Sequence, residues 1–154
     1  MSRRSKRSRG KVVQIVGRQD LVRWVDVFCR SFNVPQWRTE VERIMDANFE
    51  KLELLLSYRD DIPAACAVLY RKSGLAGLYC LGTLSSYRGE GLARSILAFA
   101  QQKTKSDSMP LFLQTLKSEG LVNFYKKSGF VLSHKKTGMC HQKARLRLDI
   151  LRRL

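Results

Sequence analysis

The sequence predicts an α/β (α+β) fold: a mixed, mostly antiparallel sheet of six to seven strands with about four helices, in the order β-α-α-β-β-β-α-β-α-β-β. Three observations carry that expectation. An almost wholly apolar run, Leu75–Leu84, enters the glycine-rich turn Tyr87-Arg88-Gly89-Glu90-Gly91-Leu92-Ala93, and the helix-patterned segment Arg94–Thr104 leaves it. Upstream of that run, short β-branched or apolar stretches are separated by hairpin-sized turns. Between residues 20 and 49 the apolar spacing changes to that of helices. The chain has 154 residues and is 44% hydrophobic, which suits one core. The expected organisation is a basic, disordered arm at 1–11 and a single domain at 12–154.

Taken in order, Val-Val-Gln-Ile-Val at 12–16 is β-branched and predicts a strand that Gly17 ends. Leu21, Trp24, Val25, Phe28 and Phe32 then share one helix face, with Asp20 as the expected N-cap. Pro35 ends this helix before Asn33-Val34. Trp37, Val41, Ile44, Met45 and Phe49 give the next helix its apolar side. Leu52–Tyr58 and Pro63–Tyr70 predict strands around a turn at Arg59-Asp60-Asp61. The second is apolar on both faces, as in a central strand. Lys72-Ser73-Gly74-Leu75 predicts a tight hairpin turn into Leu75–Leu84, along which Gly77 and Gly82 leave gaps. Leu92, Ala93, Ile96, Leu97 and Ala100 line one face of the helix after the glycine-rich turn. Asp107-Ser108-Met109 is a loop, and Pro110–Leu116 is a strand expected to run parallel to Leu75–Leu84. Glu119–Lys127 is a short helix, Phe130–Lys136 a strand, Thr137-Gly138 a turn, and Arg145–Leu151 a last strand, with a short helix as its alternative.

A strand–glycine turn–helix leaves several backbone N–H groups without intrahelical partners, with the positive end of the helix dipole behind them. A pyrophosphate fits such a place, and Gly89 and Gly91 permit both the tight turn and a close approach. The same turn can also hold nothing. Two rival uses fail on the residues. A dinucleotide loop needs a third glycine where Arg94 stands, and a Walker loop needs Gly-Lys-Ser/Thr.

Composition narrows the classes further. No apolar run reaches the roughly 18–20 residues of a membrane span, and no secretory signal is read at the basic start. Cys29, Cys66, Cys80 and Cys140 form no C-x-x-C pair, and with only His134 and His141 beside them no zinc site is expected. Cys66 and Cys80 lie in apolar runs and read as buried small residues, which points to a reducing, cytoplasmic setting. The net charge of +16 is concentrated at the ends. Arg3, Arg4, Lys6, Arg7, Arg9 and Lys11 have no acid among them, and seven basic residues from Lys135 to Arg153 face only Asp149. These ends can contact nucleic acid or a ribosome, or serve as solubilising tails. No aromatics are interleaved with the charges for base stacking.

Two stretches then carry a resemblance. Arg88-Gly89-Glu90-Gly91-Leu92-Ala93 fits the pattern Q/R-x-x-G-x-G/A, and Asn123-Phe124-Tyr125-Lys126-Lys127-Ser128-Gly129-Phe130 contains Tyr-x-x-x-Gly-Phe. With both motifs at this spacing and on these elements, the chain resembles the GNAT N-acetyltransferases over roughly residues 12–136. The resemblance implies the GNAT fold, with strands four and five parallel and splayed apart. It implies acetyl-CoA as co-substrate, no metal, and transfer of the acetyl group to a primary amine of a protein or small-molecule acceptor by direct attack on the thioester.

It also implies roles residue by residue. The N–H groups from Gly89 to Arg94, in the loop formed by Arg88, Gly89, Glu90, Gly91, Leu92 and Ala93, grip the pyrophosphate. Backbone N–H groups of Leu81, Gly82, Thr83 and Leu84 polarise the thioester carbonyl. Ser118 stands where many members carry an asparagine that contacts the cofactor. Tyr125 stands at the tyrosine that protonates the leaving thiolate, although it can equally pack beside Phe124. The glutamate many members carry on strand four or five is missing. Glu119, Glu53, His134 or a water chain are the candidates for the base, and none stands out. Phe32, Trp37 and Tyr79 are expected to line the acceptor side. A fold that binds CoA without catalysis, and a nucleic-acid- or ribosome-associated protein, are the competing functions. Assembly into an oligomer is left open.

Overall fold

The computed structural model describes residues 12–113, 122–127 and 130. Five strands form one sheet in the order β1-β2-β3-β4-β5. They are β1 (Val12–Ile15), β2 (Leu52–Arg59), β3 (Ile62–Lys72), β4 (Leu75–Thr83) and β5 (Leu111–Leu113). The helices are α1 (Leu21–Ser31), α2 (Arg38–Ala47), α3 (Leu92–Ser106) and α4 (Val122–Lys127). β1 to β4 are successively antiparallel, and β4 pairs with β5 in parallel, Ala76 opposite Leu111 and Leu78 opposite Leu113. The mixed sheet and the parallel pair are as expected. Pro110 and Phe130 are outside any strand, while residues 114–116, 131–136 and 145–151 of the expected strands lie outside the described residues.

Both hairpins are set by two-residue turns with left-handed backbone at each position. Asp60 and Asp61 have φ of 50° and 72°, and Ser73 and Gly74 have 55° and 79°. Arg59 pairs with Ile62 and Lys72 with Leu75 across them. Such turns match the right-handed twist of the strands they join, and Asp and Gly are among the residues that tolerate them.

β3 is buried without exception from Ala64 to Leu69. A strand shows alternate residues to opposite faces, so both faces of the sheet are covered. α1, backed by α2, packs on β2 to β4, and α3 packs on the strands from β1 to β5. α1 turns Leu21, Trp24, Val25 and Phe28 inward. Each such burial is worth roughly 1.5–3 kcal/mol, more than the few tenths that β-branched and aromatic residues cost in helix propensity. α3 buries Leu92, Ile96, Leu97 and Ala100, while Ala93 is only half-buried. Its glycine-rich start makes the helix begin at Leu92, two residues before the expected Arg94.

Two expectations about α1 and its neighbour need correction. A 3₁₀ turn, Arg18–Asp20, precedes α1; Asp20 is the N-cap residue as expected, but its side chain makes no cap hydrogen bond. Its carboxylate lies 3.8 Å from Arg23 instead. Trp37 belongs to a second 3₁₀ turn, Pro35–Trp37, before α2. Proline at the first position of a turn needs no N–H there, so Pro35 starts this turn rather than stopping α1.

α1 ends by its own geometry. Asn33 is left-handed, with φ 56°. Val34 N–H donates to the Cys29 carbonyl at 2.8 Å and Asn33 N–H to Arg30 at 3.4 Å. This is a Schellman end with asparagine where glycine is commoner.

Candidate active site

The middle of β4 is irregular. Val68 pairs with Tyr79 and Cys66 with Gly82, so Cys80 and Leu81 together face Ala67 alone. This is a β-bulge, and Cys80 takes the left-handed backbone it needs, with φ 60°. The surroundings hold it in place. Trp24, fully buried, donates its indole N–H to the Ala67 carbonyl at 3.1 Å, and the Cys66 thiol lies 3.5 Å from the Cys80 carbonyl. A glycine inside a strand often marks a bulge or a close approach, and the bulge does lie directly before Gly82, but no glycine marks the left-handed position itself, Cys80.

Past the bulge, Leu84 N–H donates to the Ala64 carbonyl at 2.8 Å. Ladder N–H groups alternate in direction, so the neighbouring Thr83 N–H turns away from β3, toward the side on which β5 lies. Leu81, Gly82 and Thr83 are half-buried, and Leu84 is buried. The gap expected at Gly82 is filled: a Cβ there would meet the Phe32 ring at 2.7 Å and Ser31 Cβ at 3.0 Å. Gly77 is likewise covered by the Tyr79 ring. These glycines admit neighbouring side chains, so neither marks an open space along the strand.

The glycine-rich turn follows a 3₁₀ turn, Ser85–Tyr87. Gly89 and Gly91 are left-handed, with φ of 81° and 86°. A Cβ on Gly89 would meet nothing within 4 Å among the described residues, which leave one side of the loop open. Gly91 is the N-cap of α3, and no side chain caps that end. The first N–H groups of a helix have no internal partners, and Gly91 offers no side chain to cap them. Leu92 is buried and anchors the turn, while Ala93 is half-buried and Arg94 exposed. Glu90 pairs with Arg59 from the β2–β3 turn at 3.4 Å. That pairing offsets a negative charge in a loop otherwise suited to an anion. A shallow cleft beside the loop is lined by Arg30, Leu84, Ser85, Ser86 and Tyr87.

Arg88 is the first residue of the loop, and its side chain points back. Its Nε donates to the Thr83 carbonyl and its Nη2 to the Ser31 carbonyl, each at 3.1 Å. The loop, the end of β4 and the end of α1 therefore meet at one guanidinium.

Tyr125 lies on α4 and is buried, with its ring edge-on to Phe130 at 6.3 Å between centroids. Its carbonyl accepts from Phe130 N–H at 3.0 Å. On β4, Tyr79 is half-buried, and burial pushes its phenol up, with Tyr70 and Cys80 adding to the shift. Burial likewise raises the Cys29 thiol. Cys29, Cys66 and Cys80 are buried.

One candidate base is removed from consideration by its partners. Glu53 accepts from Arg71 at 2.7 Å, and Lys103 approaches its other oxygen at 3.8 Å. It faces Leu69 across the β2–β3 ladder, and Arg71 also holds Asp107, just past the last turn of α3. The glycine-rich loop is at the other end of that helix. Ser118, Glu119 and His134 lie outside the described residues, as do both basic ends. Among the described residues no group of three His, Cys, Asp or Glu can hold a metal ion, and no helix is long and apolar enough to cross a membrane.

Comparison with known proteins agrees with this geometry. A family model described as an acetyltransferase (GNAT) domain matches residues 23–145. Among solved structures, an aminoglycoside acetyltransferase from an uncultured soil metagenomic sample, in complex with sisomicin, aligns with a TM-score of 0.70 at 11% identity, covering 88% of this chain and 97% of that one. An acetyltransferase of Trypanosoma brucei gives 0.68 at 16%, covering 85% and 99%. The PaiA N-acetyltransferase of Thermoplasma acidophilum, in complex with coenzyme A, gives 0.65 at 16%, covering 82% and 92%. None of the curated proteins compared matches.

Proposed function

The chain belongs to the GNAT acetyltransferase family, and from that premise we propose that it is an acetyl-CoA-dependent N-acetyltransferase acting on a primary amine of a protein or small-molecule acceptor in the cytoplasm. One observation carries the reading: a bulged β4, paired in parallel with β5, runs into a loop with two left-handed glycines at the uncapped start of α3.

In this reading the N–H groups from Gly89 to Arg94 hold the pyrophosphate, with the α3 dipole behind them. Gly89 and Gly91 keep the backbone within reach of it. The backbone of Leu81 to Thr83 polarises the thioester carbonyl, and the Thr83 N–H is the one turned out of the ladder. The Leu84 N–H is spent on Ala64. Fixed dipoles of this kind stabilise the oxyanion as the amine attacks. Tyr125 gives its proton to the departing thiolate. A thiol pKa of about 8.5 makes that demand mild. Water carries away the proton of the amine.

The acetyl-CoA-dependent release of CoA in the presence of a panel of amines and basic or acidic peptides tests the proposal. At least one acceptor is expected to raise release above hydrolysis, and Tyr125→Phe is expected to slow that rate about 100-fold, within the range of a lost general acid. Full activity in that variant, with chemistry limiting the rate, would end the acid role. A second reading has its own support. β4 and the described part of β5 carry no acid, and Glu53 is held by Arg71. A protein that binds CoA without turnover is what the panel would reveal if every acceptor stayed silent while CoA bound.

A further inference from the structure

We propose that Arg88 is a positioning residue that couples occupancy of the glycine-rich loop to the acceptor-side end of α1. The inference rests on the assignment of that loop to the pyrophosphate of acetyl-CoA.

A helix leaves its final four carbonyls without partners inside the helix. Here three are met by the chain that follows: Phe28 by Phe32 N–H at 3.1 Å, Cys29 by Val34 N–H and Arg30 by Asn33 N–H. The fourth, Ser31, has no such donor and accepts from Arg88 Nη2, a residue 57 positions away in sequence. The guanidinium thus completes a cap that the local Schellman end leaves one bond short. A cation is also the charge preferred at a helix C-terminus.

The same guanidinium binds the Thr83 carbonyl through Nε. Two carbonyls on two elements are gripped by one planar fork, which a lysine's single ammonium cannot reproduce. What the fork fixes matters for the site. Ser31 and Phe32 are the residues that close over Gly82. Phe32 ends an aromatic stack that runs from Trp24 through Phe28, with centroid separations of 5.5 and 5.1 Å. Arg88 is half in each world: its backbone opens the anion loop, and its side chain holds the end of α1 to the end of β4.

A ligand that fixes the Arg88 backbone lowers the cost of ordering its side chain. It thereby favours the closed cap at Ser31 and the seat of Phe32. Linkage makes the effect mutual: whatever the loop's ligand gains for the α1 end, the intact clamp returns to the ligand. The Ser31 hydroxyl is also buried with no partner among the described residues at this closure, so the α1 end carries a polar group that an ordered arrangement can still satisfy.

Hydrogen–deuterium exchange with saturating CoA as the probe tests this. In the wild-type protein CoA should slow exchange at the Asn33 and Val34 amides about fivefold or more, the lower range of typical coupling. Arg88→Lys should still bind CoA, about fivefold more weakly by the same linkage, yet show no CoA-dependent slowing at those two amides. Arg88→Met should behave in the same way, which separates the fork from the charge. Equal slowing in wild type and Arg88→Lys would overturn the coupling. So would loss of CoA binding in Arg88→Lys alongside a wild-type melting temperature, since the side chain would then be acting on the ligand directly. Failure of the wild-type protein to bind CoA would instead contradict the assignment of the loop.

Discussion

At Gly82 one methyl group decides whether the end of α1 can close on β4. A Cβ there would sit 2.7 Å from the Phe32 ring, closer than unstrained packing allows. Overpacking of this kind costs about 1–3 kcal/mol. Gly82→Ala is therefore expected to lower the melting temperature by roughly 3–9 °C. In a Phe32→Ala background the same change should cost clearly less, the Ser31 Cβ at 3.0 Å being the contact that remains, and a thermal double-mutant cycle measures the difference. Equal costs in both backgrounds would mean that Phe32 is not what the glycine admits. The same residue shows what sequence can and cannot supply. A glycine within an apolar strand signals a close approach, but not whether a ligand or a neighbouring side chain makes it. Gly89 and Gly91 were legible because a turn into a helix restricts what they can be doing. Cys80 was not, since its left-handed backbone is imposed by the bulge and by Trp24, and cysteine carries no local mark of it. The reach of the Arg88 side chain, to a carbonyl 57 residues away, is equally invisible along the chain.

Elements were more legible than residues, because periodicity is a property of many positions at once. The inward face of α1, the places of the two hairpins and the strand–loop–helix all follow from spacing in the sequence, although the first turn is Asp60-Asp61 alone, with Arg59 in β2 and Ile62 starting β3. What spacing did not show is how α1 and α2 are held together. Asp26 on α1 takes Arg30 at 3.1 Å and Arg38, at the start of α2, at 2.8 Å. Burial works to raise the Asp26 carboxyl, but the hydrogen bonds from Arg38 and Arg30 outweigh it and hold it below its ordinary value of 3.8. A carboxyl lowered by folding stabilises the folded state above the unfolded value and loses that contribution as pH falls through the folded one. The melting-temperature gap between wild type and Asp26→Asn should therefore be constant above about pH 5 and shrink as pH drops below 3.8. A gap that grew toward acid pH would have the wrong sign for this pair. The salt bridge is partly exposed, so the gap should also narrow in high salt.

For the molecule as a whole, the sheet does two jobs with one irregularity. Covered on both faces, it is a rigid support. The bulge at Cys80 and Leu81 then shifts the register of β4 against β3 just before the loop that opens α3. A rigid strand, a left-handed glycine loop and an uncapped helix start are the features on which the proposed pyrophosphate site rests. The net charge of +16 adds a long-range preference for anionic partners over free polyamines. The central claim is that the loop binds acetyl-CoA, and thermal denaturation with and without it is the most direct test. At a concentration 100-fold above the dissociation constant, a ligand adds about 2.7 kcal/mol to stability, or roughly 5–10 °C for a chain of this size. The account predicts that rise for the wild-type protein and none for Gly91→Glu, in which a side chain and a negative charge stand where the pyrophosphate would lie. No shift in the wild type, or the same shift in Gly91→Glu, would contradict it.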